Sequence, residues 1–260
     1  MLVRVVERTR RAKTVSDVVI ATTTDSSDDA VEDLCSERGY LYYRGNQYDV
    51  LDRYYQAAQK FSADVIVRIT GDCPMIDPQI IDETVTAFLG NKGTQMLKTS
   101  TFPWDIATNR LPPPWHRTYP IGLDTEVCSF QALERAWKEA DQPYQREHVM
   151  PYLYEPERAV IFPFSDIENQ HKTVPSSFFR VLCLDHDPDY GSYRWTVDTP
   201  EDLELARQIY AHFGNRDDFT WHDILDLFQQ KPELVTINAG VQHKGAKDID
   251  QRFVKKLKHG

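Results

Sequence analysis

The chain has 260 residues with a formal charge of −10, 41% hydrophobic and 27% charged, enough for one α/β domain or two small ones with a sizeable core. Aromatic and β-branched residues run throughout, which excludes general disorder, and no stretch approaches the roughly 20 apolar residues of a membrane span. The acidic balance disfavours nucleic acid as a partner, yet it admits a small polyanion gripped by local arginines or a metal ion.

Cys35, Cys73, Cys128 and Cys183 form no CxxC pair, which suits a reducing, cytoplasmic setting. The opening residues lack the long apolar run of a secretory signal. Residues 241–260 carry five Lys and one Arg against two Asp, a net of +4 that leaves −14 on the rest. They read as a basic tail after a domain over 1–240.

The pattern in chain order is an alternation. Leu2, Val5 and Val6 recur at helical spacing over 2–11, with arginines opposite. A strand at 17–23 precedes a helix at 26–38 closed by Gly39, a strand at 40–43 and a helix at 49–61. The apolar strand at 64–70 leads to a helix opened by Asp77 and Pro78. Residues 91–120, with Trp104, Trp115 and three consecutive prolines, read as a long loop or lid. Strands near 124–128, 159–164, 179–184 and 193–197 then alternate with helices near 129–140, 146–154, 199–212 and 220–229. Such alternation predicts right-handed βαβ units and a doubly wound, mainly parallel sheet with an inserted lobe.

Two junctions carry the chemistry. An apolar strand ends in Gly71-Asp72 ahead of a proline-started helix, and a second ends in Asp198, with Thr199 capping the next proline-started helix. Singly, each aspartate reads as a turn or cap carboxylate. Together, at the strand ends where α/β sheets bind ligands, they favour a shared Mg²⁺, which takes one or two carboxylates plus phosphate oxygens. Arg44, Arg68 and Arg194 lie near these ends, where a guanidinium can hold a phosphate, a base edge or a carboxylate; each taken alone reads as a surface arginine. The run Asp185-His-Asp187, followed by Pro188, reads as a turn, and the lack of any G-x-G-x-x-G after a strand disfavours a dehydrogenase.

Longer strings carry a resemblance: Asp49-Val-Leu-Asp-Arg-Tyr-Tyr-Gln-Ala-Ala, Val67-Arg-Ile-Thr-Gly-Asp-Cys-Pro-Met-Ile-Asp-Pro, Tyr119-Pro-Ile-Gly-Leu-Asp-Thr-Glu-Val, Arg146-Glu-His-Val-Met-Pro-Tyr and Arg194-Trp-Thr-Val-Asp-Thr-Pro-Glu-Asp-Leu, with Ile237-Asn238 near the end. From residue 1 to about 240 the chain resembles cytidylyltransferases related to CMP-KDO synthetase, nearest the branch of spore-coat polysaccharide biosynthesis protein F. The resemblance implies a GT-A-like nucleotidyltransferase fold, and transfer of CMP from CTP to an acidic or polysaccharide-precursor sugar with release of pyrophosphate. It assigns Asp72 and Asp198 to Mg²⁺ and catalysis. It assigns Arg44, Asn46, Asp49, Arg53, Arg68 and Gly71 to the nucleotide, and Asp124, Glu126, Arg146, Glu147, His148 and Arg194 to the sugar. His148 reads equally as a general base or as a helix-start residue bonded to a backbone carbonyl. A homodimer also follows from the resemblance. A non-catalytic member binding a nucleotide or partner, or a GT-A glycosyltransferase, are the competing readings.

One departure stands out. Members of the family begin with a strand and a Gly/Arg/Lys loop around the triphosphate, neither of which matches here. The expected consequences are exposed edges on the strands at 18–21 and 65–69, weak binding of CTP–Mg²⁺ and impaired turnover.

Overall fold

The computed structural model describes residues 1–90, 102–112, 117–165, 173–242, 245 and 247–249. Most of the basic tail and the expected lid residues 91–101 and 113–116, Trp115 among them, lie outside that set. Helix α1 (Leu2–Thr9) is followed by strand β1 (Val19–Thr23), a 3-10 turn at Ser26–Asp28 and α2 (Asp29–Arg38). Strand β2 (Leu41–Gly45), α3 (Val50–Lys60), β3 (Val65–Arg68) and α4 (Pro78–Leu89) continue the alternation. After β4 (Ile106–Thr108) come β5 (Glu126–Ser129), α5 (Phe130–Glu139), α6 (Pro143–His148), α7 (Pro151–Tyr154), β6 (Ala159–Pro163), β7 (Phe179–Cys183), α8 (Pro200–His212) and α9 (Trp221–Gln230).

Caps set these boundaries as the sequence chemistry requires. Gly39 closes α2 in the left-handed region at φ 65. The Asp77 carboxylate accepts from the Gln79 amide at 2.8 Å, and the Thr199 hydroxyl and Asp202 carboxylate form a capping box at the start of α8.

Five strands form a sheet in the order β3-β5-β4-β7-β6, with β4, β6 and β7 mutually parallel and β5 antiparallel to both neighbours. Successive residues divide between its faces. Ile106, Cys128 and Val181 meet Leu51 of α3 and Leu133 of α5. Ala107, Val127 and Leu182 meet Val85 and Phe88 of α4. Helices thus cover both faces, so the strands are apolar on both sides, as in a doubly wound sheet. Strands β1 and β2 form a separate parallel pair, and among the described residues no hydrogen bond joins β1 to β3.

Four expectations are corrected. Residues 106–108, expected within a loop or lid, form β4 in the middle of the five-stranded sheet, and Trp104 is buried against Phe162. The segment 193–197, expected as a strand, forms a single bridge between Arg194 and Ile121, because Gly122 at φ 104 departs from the extended backbone that a continued ladder needs. The helix expected over 146–154 is two short helices, broken at Val149 with φ 72. Arg8 is not on an exposed face of α1 but fully buried: its guanidinium donates to the carbonyls of Ile76 at 2.7 Å, Asp217 at 2.9 Å and Phe219 at 3.0 Å. Burial lowers its pKa, and the ring of carbonyls compensates the charge.

Gly122 is a point where the backbone admits no side chain. A Cβ there would lie 2.6 Å from the Thr196 amide nitrogen and 2.7 Å from the Trp195 carbonyl carbon. Gly122→Ala is expected to cost about 2–3 kcal/mol and lower the melting temperature by about 4–12 °C, readable by calorimetry. A melt unchanged within 1 °C would contradict this packing.

Candidate active site

Strand β3 runs out into the turn that carries Gly71 and Asp72, where the Cys73 amide donates to the Thr70 carbonyl at 3.2 Å. Across it lies the extended segment 194–198. The Val197 amide donates to the Asp72 carbonyl at 2.8 Å, and the Thr196 hydroxyl donates to the same oxygen at 3.2 Å. The turn that carries Asp72 is thereby clamped to the extended segment that leads through Asp198 into α8. Gly71 beside Asp72 has open space around its Cα, leaving room for a ligand to approach the backbone.

Arg194 orients Asp198 from beneath. Its guanidinium bonds the Asp202 carboxylate at 2.9 and 3.0 Å and the Asp198 carboxylate at 2.6 Å. Asn238 completes the network, donating to Asp202 at 2.8 Å and to the Arg194 carbonyl at 2.9 Å. Asp202 is buried, while the Asp198 side chain is 40% exposed. Burial alone would raise the pKa of Asp202, but the bonds from Arg194, Asn238 and the Asp198 amide outweigh it, and the net shift is downward from 3.8. The stability from ionised Asp202 is therefore fully present above about pH 4 and is lost as pH falls through its depressed folded value. Asp202→Asn is expected to lower the melting temperature by about 4–8 °C at pH 7, for a loss of about 2 kcal/mol, and to flatten its decline below pH 4. Parallel pH–melting curves for the two proteins would refute the assignment.

A second cluster is buried beside Asp72. Arg68 on β3 sits opposite Glu126 on β5 and pairs with it, both nearly inaccessible. Burial opposes the charge on Arg68, but Glu126 prevails and holds its pKa above the ordinary value. Arg68 Nε and Glu126 Oε1 have no hydrogen-bond partner among the described residues. Asp124 pairs with Arg117, with Arg110 at 4.0 Å. Arg68 and Glu126, read separately from the sequence as nucleotide and sugar contacts, are thus partners of each other.

The remaining predicted residues gather at the end of β2. Arg44 is fully engaged: it pairs with Asp29 at 2.7 Å and with Glu32, and donates to the carbonyls of Thr23 and Asp25. Those carboxylates raise its pKa. Arg53, buried with its pKa lowered by desolvation, donates to the Asn46 carbonyl at 3.0 Å, while the Asn46 side chain accepts from the Tyr48 amide. Asp49 caps α3 and forms a two-pronged pair with Arg146 of α6, with contacts of 2.5 to 3.1 Å. Glu147 is half-buried on α6, and His148 Nε2 lies 2.8 Å from the Asp248 carbonyl oxygen in the tail. The fold therefore makes two groups, one around Asp72 and Asp198 and one around Asp49 and Arg146. Tyr54 of α3 leans between them, with its hydroxyl 3.5 Å from the Ile69 carbonyl.

Asp202, Asn238, Arg110 and Arg117 take part without having been assigned from the sequence. Asp202 had a local signal, its position in the capping box. Asn238 had one too, the Ile237-Asn238 string, while Arg110 and Arg117 reach Asp124 from a stretch that reads as a loop.

Among the described residues no three His, Cys, Asp or Glu side chains come together as metal ligands. Two carboxylates are a donor set that a hard cation completes with phosphate oxygens and water, and Asp72 and Asp198 are the pair assigned to it from the sequence. Among the described residues no helix is long and apolar enough to cross a membrane.

The family profile described as cytidylyltransferase matches residues 1–216. The uncharacterized protein MJ1063 of Methanocaldococcus jannaschii is 33% identical over 250 residues, covering 94% of this chain and 86% of that protein. The spore coat polysaccharide biosynthesis protein SpsF of Bacillus subtilis is 27% identical over 221 residues, covering 84% of this chain and 77% of its own. The solved structure of a cytidylyltransferase from Leptospira borgpetersenii serovar Hardjo-bovis has a TM-score of 0.72 at 29% identity, covering 93% of this chain and 87% of that one. With its helix-covered sheet and a match to the family over most of its length, the chain belongs to the cytidylyltransferase family.

Proposed function

We propose that this cytidylyltransferase moves CMP from CTP to a sugar hydroxyl, with Mg²⁺ held by Asp72 and Asp198. The observation that carries the reading is the clamp from Val197 and Thr196 onto the Asp72 carbonyl, which ties the turn of Asp72 to the segment that leads into Asp198. The sugar oxygen forms a new bond to the α-phosphorus while the bond from that phosphorus to the bridging oxygen of pyrophosphate breaks; the hydroxyl proton passes to water. A bound Mg²⁺ supplies neutralising charge for the phosphate oxygens. The chain's own contribution is placement. Arg194 and Asp202 hold Asp198 at its station, and the open backbone at Gly71 leaves room for the phosphates. Arg110 and Arg117 beside Asp124 favour a sugar bearing an acidic group. The polysaccharide role named for the Bacillus subtilis relative supports a polysaccharide precursor as acceptor.

The test is calorimetric titration with CTP, UTP and ATP in Mg²⁺, followed by pyrophosphate release with acidic and neutral sugars. Binding of CTP at least tenfold tighter than ATP, and turnover with an acidic sugar, are expected. Equal affinity for all three nucleotides would overturn the reading.

A further inference from the structure

The segment 194–198 leads into Asp198 but belongs to no strand; among the described residues its one ladder contact is the bridge from Arg194 to Ile121. Such a segment lacks the row of partners that fixes a strand, so individual donors hold it. The Trp195 amide donates to the Ile121 carbonyl at 2.7 Å, and the Val197 amide to the Asp72 carbonyl at 2.8 Å. The Arg194 carbonyl is met by a side chain instead: Asn238 Nδ2 donates to it at 2.9 Å. The same nitrogen donates to Asp202 Oδ1 at 2.8 Å. Both partners are acceptors, so both N–H groups of the amide are used and its orientation is fixed. Asn238, Arg194 and Asp202 are all buried, so water does not take over either bond. Asn238 comes from the far end of the chain. A 3-10 turn at Pro232–Thr236 seats Leu234 in the cluster of Trp195, Val197 and Leu205, with Ile237 packed against it.

Asp198 stands last in this network. Asp202 accepts from Arg194 Nε at 3.0 Å on the oxygen that Asn238 also meets, and from Arg194 Nη2 at 2.9 Å on the other. That Nη2 also reaches Asp198 at 2.6 Å. Among the described residues no other side chain donates to the Asp198 carboxylate, so the direction of the guanidinium sets where that carboxylate points. We propose that Asn238 is a positioning residue of the transferase site: it fixes Asp202 and the Arg194 backbone, and through them the Asp198 carboxylate that receives the divalent cation. This role presupposes the function proposed above. Without the amide, Asp202 Oδ1 loses a donor and the Arg194 carbonyl is left without the Asn238 bond, which loosens the guanidinium. Asp198 must then be ordered as the cation arrives, so the loss falls on cation binding rather than on the later phosphoryl step.

The probe is Mn²⁺ alone, titrated into the full chain and followed by the paramagnetic resonance of the free ion. Asn238→Ala is expected to bind it at least threefold more weakly than the parent, with Asn238→Ser, which keeps one donor in place of two, in between. In turnover with CTP and an acidic sugar, the apparent KM for Mg²⁺ is expected to rise at least threefold, with kcat at saturating Mg²⁺ within twofold of the parent. Leu133→Ala, buried on α5, separates this from lost stability: it is expected to melt lower yet bind Mn²⁺ as the parent does. If Asn238→Ala fails to fold, Asn238→Ser decides, on the same comparison with the parent. A change of less than threefold in Asn238→Ala, tighter binding, or equal weakening in Leu133→Ala would each overturn the proposal. The Arg194 Nε–H resonance, assigned by its loss in Arg194→Lys, gives a readout without metal and is expected to shift and exchange faster in Asn238→Ala; an unaltered resonance also overturns the proposal. A parent chain that takes up no Mn²⁺ overturns the cation assignment and this role with it, whereas Mn²⁺ binding that Asn238→Ala leaves unchanged overturns this role alone.

Discussion

Asparagine in place of Asp72 is expected to lower kcat/KM for CMP transfer by about a thousandfold, about 4 kcal/mol of transition-state stabilisation. The substitution removes one of the two negative charges assigned to the site and changes almost nothing else. The clamp that shapes the turn runs to the Asp72 carbonyl, not to its side chain, so the melting temperature should stay within about 2 °C of the parent. Asp198→Asn removes the second charge and the 2.6 Å contact with Arg194, but Asp202 still holds that guanidinium from two directions. The Asp198 side chain is 40% exposed, so its ion pair adds little to stability, under about 1 kcal/mol. Because both carboxylates serve one site, the double variant should lose little beyond the weaker single variant. Pyrophosphate release and Mg²⁺–CTP calorimetry on the three proteins provide the measurement. An Asp72→Asn variant that folds and retains a third or more of the activity would sink the assignment.

The positions of Asp72 after β3 and of Asp198 ahead of α8 were legible because their signal is local. Gly71-Asp72 follows an apolar strand, and Asp198-Thr-Pro leads straight into a helix cap, so a dozen residues of context suffice for each. The strands β3 and β7 were legible for a similar reason: both faces of their sheet are covered, and the strands are near-continuous apolar runs. Strand β4 was not. Its three residues, Ile106, Ala107 and Thr108, are too few to display a period, and the prolines and tryptophans nearby signal a loop. Yet these residues lie between β5 and β7, where pairing on both sides stabilises what propensity alone would not. The burial of Arg8 was hidden because its carbonyl partners lie 68 to 211 residues away. The strings shared with the family pointed correctly to it, but not to which polar residues pair with one another. Arg44, Asn46 and Arg53 are held by contacts inside the chain, and the family strings carry no sign of that.

Arg68 and Glu126 offer the second large effect, and one that separates a structural pair from a functional one. Removing either partner strands a buried charge. Arg68→Met leaves Glu126, 1% exposed, without its opposite number, at a cost of about 3–5 kcal/mol. For a chain of this size that lowers the melting temperature by roughly 6–20 °C. Replacing both, as Arg68→Met with Glu126→Leu, removes the two desolvation costs together, and such exchanges are often neutral or stabilising. The double variant is therefore expected to melt within a few degrees of the parent. Activity should behave differently. Arg68 Nε and Glu126 Oε1 are buried without a hydrogen-bond partner among the described residues, next to the turn that carries Asp72. If those atoms meet substrate, restoring stability will not restore turnover, and kcat/KM should stay at least tenfold down, about 1.4 kcal/mol. Comparing melts and pyrophosphate release for the two singles and the double completes a cycle. Full activity in a double variant that folds normally would remove both residues from the binding site and leave them as a buried tie between β3 and β5.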